Sequence, residues 1–210
     1  MNKILSITLV LALVVTSIVL FSTKENTTAL PPEKVTGTAQ VGGAFTLTGT
    51  DGKAVNDTQF RGKYMLVFFG FTRCPDVCPT TLATITSAMG QLGDKASRIV
   101  PVFITVDPKN DTPDVIKTYL ANFDPHVVGL TGTEEQIKAA ASAYKAYYAE
   151  AAPAKKEHGG HGAHGGHDEK NAIDHSAFLY LMDTQGQYIM HFPYTVAPDA
   201  LARSLKEKMQ

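Results

Sequence analysis

Net charge is all but missing from this chain. Its 210 residues carry 19 Lys and Arg against 20 Asp and Glu, and a phosphate backbone needs a cationic surface, so nucleic acid is set aside as a partner. Cysteine is nearly missing too: Cys74 and Cys78 are the only two. Neither lies near the N-terminus, so attachment to a membrane through a lipidated cysteine there is not expected. Apolar material, at 44 %, is present in an ordinary share. That share argues against disorder and lets one domain bury one core.

One stretch, Ile4 to Phe21, is almost purely aliphatic and about as long as a bilayer is thick. Lys3 precedes it and the polar residues Ser22 to Thr28 follow. A positive flank ahead of an apolar run holds the N-terminus in the cytoplasm and sends the rest across. Residues 1–22 are therefore expected to form one transmembrane helix. A signal segment cleaved after Thr27-Thr28-Ala29 is the alternative. Residues 23–40, with Pro31-Pro32 and several threonines, read as a linker. Residues 41–210 are then one domain in an oxidising compartment, where a cysteine pair closes unless a reductant or a metal holds it open.

Both cysteines fall in Phe68-Phe69-Gly70-Phe71-Thr72-Arg73-Cys74-Pro75-Asp76-Val77-Cys78-Pro79. Tyr64 to Phe69 reads as a buried strand, and Pro79 opens a helix whose apolar members include Leu82, Ile85 and Met89. The pair thus sits on a strand-to-helix turn. Cys78 is expected in the first helical turn, where unpaired N–H groups and the helix dipole favour a thiolate. Two soft ligands on one turn suit Cu(I), and the same pair can close into a disulfide. A third ligand is sought elsewhere, and the best candidate is His175, just before the apolar strand that begins near Ser176.

Three motifs occur in order: Cys-Pro-Asp-Val-Cys-Pro after an aromatic strand, Val106-Asp107-Pro108-Lys109-Asn110-Asp111-Thr112-Pro113 after the next, and Asp174-His175-Ser176 before a late hairpin. Together they resemble the Sco/SenC family, over roughly residues 36–209. The resemblance implies an α/β, thioredoxin-like fold and a membrane-tethered copper chaperone for cytochrome c oxidase assembly. It implies Cys74, Cys78 and His175 as ligands, with copper as cargo, Cu(I) and also Cu(II). The implied recipient is the dinuclear copper (CuA) site of cytochrome c oxidase subunit II. Another copper chaperone as donor and a thioredoxin-like reductant complete the implied partners. The setting is a bacterial cell membrane, crossed once, with the soluble domain on the periplasmic side.

The remaining chain fits that fold. Phe45 to Thr48, the Asp51-Gly52 turn and Lys53-Ala54-Val55 predict an N-terminal hairpin. Ile99 to Val106 is a second buried strand. Asp107 and Asp111 follow it, near the sulfurs if sites collect at the carboxyl ends of strands, and both are read as turn and cap residues because hard carboxylates suit Cu(I) poorly. Thr112 caps a helix to Phe123, Val127 to Leu130 is a strand, and Thr133-Glu134-Glu135-Gln136 is a capping box for a helix to about Tyr148. That helix places Tyr144, Tyr147 and Tyr148 on one face. Ser176 to Met182 and Gln187 to His191 form the last hairpin, and Ala197 to Lys208 the last helix. His126 and His191 stand alone and are not read as ligands.

Between them, within 155–170, lies a Gly/His tract with His158, His161, His164 and His167. It offers no apolar side chains to offset the entropy of ordering its glycines, so an exposed flexible loop is expected. Such spacing suits a labile auxiliary site for Cu(II), Zn(II) or Ni(II), or binds metal only incidentally. The family pattern does not include it.

Three chemistries stay in view at the cysteines. A metallochaperone uses three ligands and leaves a position open for ligand exchange. A thiol-disulfide oxidoreductase would cycle Cys74 and Cys78 to reduce the cysteines of the target site, although thioredoxin-type enzymes space the pair one residue closer. A peroxidase of the peroxiredoxin kind, suggested by Val77-Cys78-Pro79-Thr80, lacks the threonine three residues before the nucleophile, where Pro75 stands. A purely structural disulfide across so short a loop would stabilise little.

Overall fold

The computed structural model describes residues 41–146, 148–150, 173–175 and 178–209, with the backbone alone for 148–150 and 173–175. The expected anchor (1–22), the linker (23–40) and His158, His161, His164 and His167 lie outside the described residues. Among the described residues no helix is long and apolar enough to cross a membrane.

The hairpin of β1 (Thr46–Gly49) and β2 (Ala54–Asn56) forms as expected. The aromatic run becomes β3 (Tyr64–Gly70), and α1 (Val77–Leu92) carries the chain to β4 (Ile99–Thr105), which lies parallel to β3 in the register Tyr64↔Ile99 to Gly70↔Thr105. Both strands are buried almost throughout, which is why they read as continuous apolar runs instead of alternating ones. A second crossover, α2 (Pro113–Leu120), leads to β5 (Val128–Thr131), parallel to β4. Next come α3 (Glu134–Tyr144), β6 (Tyr148–Glu150) and β7 (Ile173–His175), then β8 (Phe178–Met182), β9 (Tyr188–Pro193) and α4 (Pro198–Lys208).

Seven strands make one sheet in the order β2-β1-β5-β4-β3-β8-β9, while β6 and β7 pair with each other. The three parallel strands lie at the centre and antiparallel pairs flank them. α1 packs on α4, α2 on β5 and α3 on β1. The core gathers Leu66, Val67, Phe68, Leu82, Ile85, Phe103, Ile104 and Leu181, all essentially without exposure.

Caps follow the residues that announce them. Thr112 accepts the Val115 N–H at 3.4 Å with Pro113 at the first helical position. Thr133 and Gln136 form the reciprocal capping box of α3. The helix expected to reach Tyr148 stops at Tyr144 instead. Lys145 adopts the left-handed conformation (φ 57°) and its N–H turns back to the Ala141 and Ser142 carbonyls, ending the ladder. Tyr148 then pairs in β6 opposite His175, so the three tyrosines do not share a helical face. Tyr147 lies outside the described residues. Tyr144 is a core residue, its ring 5.5 Å from that of Phe69 and 5.6 Å from that of Tyr180.

Gly129 lets α2 seat against β5. A Cβ there would fall inside the Ile116 side chain and 2.6 Å from Leu120 Cδ1. Gly129→Ala is expected to overpack this contact and lower unfolding free energy by about 1–3 kcal/mol, read as a shift in the denaturant midpoint with an unchanged slope. A midpoint equal to wild type would show that α2 can move away at no cost.

Candidate metal centre

The site forms where β3 and β4 end side by side. Gly70 pairs with Thr105, and the Val106 N–H donates to the Gly70 carbonyl at 2.8 Å, so the two chains leave the sheet together. The cysteine turn departs from one and the Asp107–Asp111 turn from the other. Gly70 is required by close approach: a Cβ on it would lie 2.9 Å from Cys78 Sγ and 3.0 Å from both Phe68 and Phe103.

Cys74 is half-buried and Cys78 fully buried, and no disulfide joins them. Helix α1 starts at Val77, two residues before Pro79, so Cys78 occupies its first turn as expected. The thiolate expected at Cys78 is not what the surroundings favour. Its thiol is pushed far above the ordinary range, first by its hydrogen bond with the Cys74 sulfur and then by burial, while the Phe71 backbone N–H pulls the other way. The free helix N–H goes to the other sulfur: Cys78 N–H donates to Cys74 Sγ at 3.4 Å. The sulfur–sulfur hydrogen bond and burial outweigh the dipole at Cys78, and the helix terminus serves Cys74.

Two carboxylates from the second turn hold the cysteine turn in place. Asp111, without exposure, accepts the Thr72 N–H at 3.0 Å and the Thr72 hydroxyl at 2.5 Å, and the Thr105 hydroxyl at 2.6 Å. Thr105 Oγ1 in turn accepts the Asp107 N–H at 2.9 Å. Asp107 pairs with Arg73 at 2.7 Å, and Asn110 Nδ2 donates across its two carboxylate oxygens, at 2.9 and 3.0 Å. Both aspartates are therefore near the sulfurs and are spent on hydrogen bonds, in keeping with their reading as non-ligands. Their tie across to Thr72 and Arg73 exceeds the local turn and cap role the sequence suggested. The legible signal was weak: an Asp-x-x-x-Asp spacing and a threonine two residues past a strand.

Among the described residues no three His, Cys, Asp or Glu side chains gather as a metal site. Cys74 and Cys78 are together, and the His175 side chain lies outside the described residues. The backbone of His175 ends β7, opposite Tyr148. His126 bonds Asp124 at 2.7 Å on the surface, and His191 bonds the Tyr188 hydroxyl at 2.5 Å with its ring 4.8 Å from that of Phe178. Neither is beside the sulfurs' turn in the hydrogen-bond network.

The SCO1/SenC family model matches residues 33–210. Among curated proteins, the SCO2-like protein RP587 of Rickettsia prowazekii is 39 % identical over 169 residues, which are 80 % of this chain and 77 % of that one. The ScoI protein of Bradyrhizobium japonicum, solved with copper bound, is 37 % identical with a TM-score of 0.67, covering 80 % of this chain and 98 % of that one. The ScoI protein of Arabidopsis thaliana, also solved with copper bound, is 32 % identical with a TM-score of 0.70, covering 80 % and 98 %. With the mixed α/β, thioredoxin-like sheet and its cysteine pair at the end of the central strand, these matches establish that the chain belongs to the SCO1/SenC family.

Proposed function

We propose that this protein is a copper chaperone that binds the ion through Cys74, Cys78 and His175 and delivers it to the dinuclear copper site of cytochrome c oxidase subunit II. The observation that carries this reading is the contact between the two sulfurs at the β3–α1 junction, in a chain whose relatives were solved with copper bound. Paired sulfur suits soft Cu(I) and the neighbouring carboxylates do not compete for it. Support for His175 comes from chain direction. β8 runs antiparallel to β3 with Leu179 opposite Phe68, and His175 stands four residues before Leu179. The chain thus enters β8 at the end of the sheet where β3 releases Cys74.

Three ligands leave a position from which a recipient's ligands can displace the ion. Residues 1–22 would tether the domain to a bacterial membrane, on its periplasmic side, beside a membrane-bound recipient. His158, His161, His164 and His167, in the segment that leads to His175, would form a looser auxiliary site for Cu(II). A second reading, thiol-disulfide exchange with the recipient's cysteines, is favoured by one observation. The more exposed Cys74 sulfur accepts a helix N–H while the buried Cys78 stands behind it, as an attacking and a resolving sulfur would. The two roles are compatible, because copper loads only onto reduced sulfurs.

His175→Ala is the test of the third ligand. A four-ligand structural site holds its metal by about 10–16 kcal/mol, so one ligand is worth on the order of 3 kcal/mol and its loss about a hundredfold in affinity. Anaerobic competition against a Cu(I) chelator reads that change. Wild-type affinity in the variant would reject His175.

A further inference from the structure

The Tyr119 hydroxyl is a buried oxygen with no hydrogen-bond partner, and among the described residues that are not exposed it is the only such side-chain atom. A native protein seldom leaves a buried donor unpaired, because the lost water bonds are not replaced, so the orphan calls for a reason. Its surroundings supply one. Tyr119 lies on the last turn of α2, with its ring 6.0 Å from Phe103 and 5.4 Å from Phe123. Phe103 is in turn a neighbour of Cys78: a Cβ on Gly70 would lie within 3.0 Å of both Phe103 Cε2 and Cys78 Sγ. Burial first of all pushes the ionisation of the phenol above the usual range and keeps it a neutral donor.

We infer that the Tyr119 O–H is held in reserve as a hydrogen-bond donor to the sulfur pair in its copper-loaded state. This rests on the copper reading above. Loading replaces two S–H bonds by two S–Cu bonds and releases two protons to solvent, so two thiolates and one Cu(I) leave one net negative charge where the free dithiol had none. In a site walled by Phe68, Phe103 and Phe71, that charge calls for a donor whose hydrogen bond is not already spent. Asp107 and Asp111 cannot answer it, being acceptors. Tyr119 can, by a movement of its ring past Phe103, and the bond stabilises the loaded state without occupying a coordination position. Tyr119 is thus a positioning residue for the sulfurs that does not touch the metal.

The test is Tyr119→Phe in the full chain, with two readouts of opposite sign. Copper-free protein is expected to melt at the wild-type temperature or above, because an unpaired donor has been removed. Cu(I) affinity, by anaerobic competition with a chelator, is expected to fall about tenfold, the worth of a hydrogen bond to a charged acceptor. Equal affinity in the variant and wild type overturns the inference and leaves the copper reading standing. Lost melting temperature with equal affinity overturns it as well, and marks the tyrosine as a packing residue. A wild-type chain that holds no Cu(I) overturns both.

Discussion

Cys74→Ala and Cys78→Ala are each expected to lose about a thousandfold or more in Cu(I) affinity, because each removes one of two thiolates from a three-ligand site. The two variants should differ in everything but that loss. Cys78 is fully buried among Gly70, Phe68 and Phe103, so removing its sulfur leaves a small cavity costing about 1 kcal/mol. Cys74 is half-buried at the turn, and its replacement frees the Cys78 N–H, which it had accepted at 3.4 Å, and removes the sulfur that the Cys78 thiol bonds. Cys74→Ala should therefore melt close to wild type while Cys78→Ala melts slightly lower. Anaerobic chelator competition and thermal unfolding measured side by side check both statements. Wild-type affinity in either variant would show that the pair is not the binding site.

Asp111→Ala has the largest expected effect on stability. It leaves the part-buried Thr72 N–H and hydroxyl and the buried Thr105 hydroxyl without their acceptor. Each unpaired buried group costs about 1–3 kcal/mol, and partial relaxation brings the sum to roughly 3–5 kcal/mol. Thr72 stands two residues before Cys74, so the same substitution should also loosen the cysteine turn and weaken Cu(I) binding. Asp111→Asn separates geometry from charge. Its amide oxygen can keep the Thr72 N–H and Thr105 bonds while its NH2 donates to the Thr72 hydroxyl, so most of the stability should return. Denaturant unfolding of the two variants reads the difference, and an alanine variant as stable as wild type would mean the turn is held by other contacts.

Much of this was legible in the sequence, for identifiable reasons. β3 and β4 were readable because a strand buried on both faces is apolar at every position, and Gly70 and Asp107 mark where each run stops. The caps at Thr112 and Thr133 were readable because capping is local chemistry over three residues. The end of α3 was not, since nothing at Lys145 announces a left-handed residue and the helical pattern runs on through Tyr148. What stops it is the pairing of Tyr148 with His175, a partner 27 positions away. The site divides along the same line. Proximity of Cys74 to Cys78 follows from spacing on one turn. The protonation preference of Cys78 depends on its hydrogen bond with Cys74 and on its burial beside Phe68 and Phe103, and the Asp111 tie to Thr72 spans 39 positions. Tertiary contacts of that kind leave no periodic trace. The same is true of the Tyr119 hydroxyl, which in sequence is one more aromatic on an amphipathic helix.

The central claim is that paired sulfur and one imidazole hold a monovalent copper ion. X-ray absorption at the copper edge, on the full chain loaded anaerobically with equimolar Cu(I), counts the atoms around the metal directly. Two sulfur scatterers and one imidazole nitrogen are the expected result. A first shell of nitrogen and oxygen without sulfur would contradict the account, whatever the affinity measured alongside it.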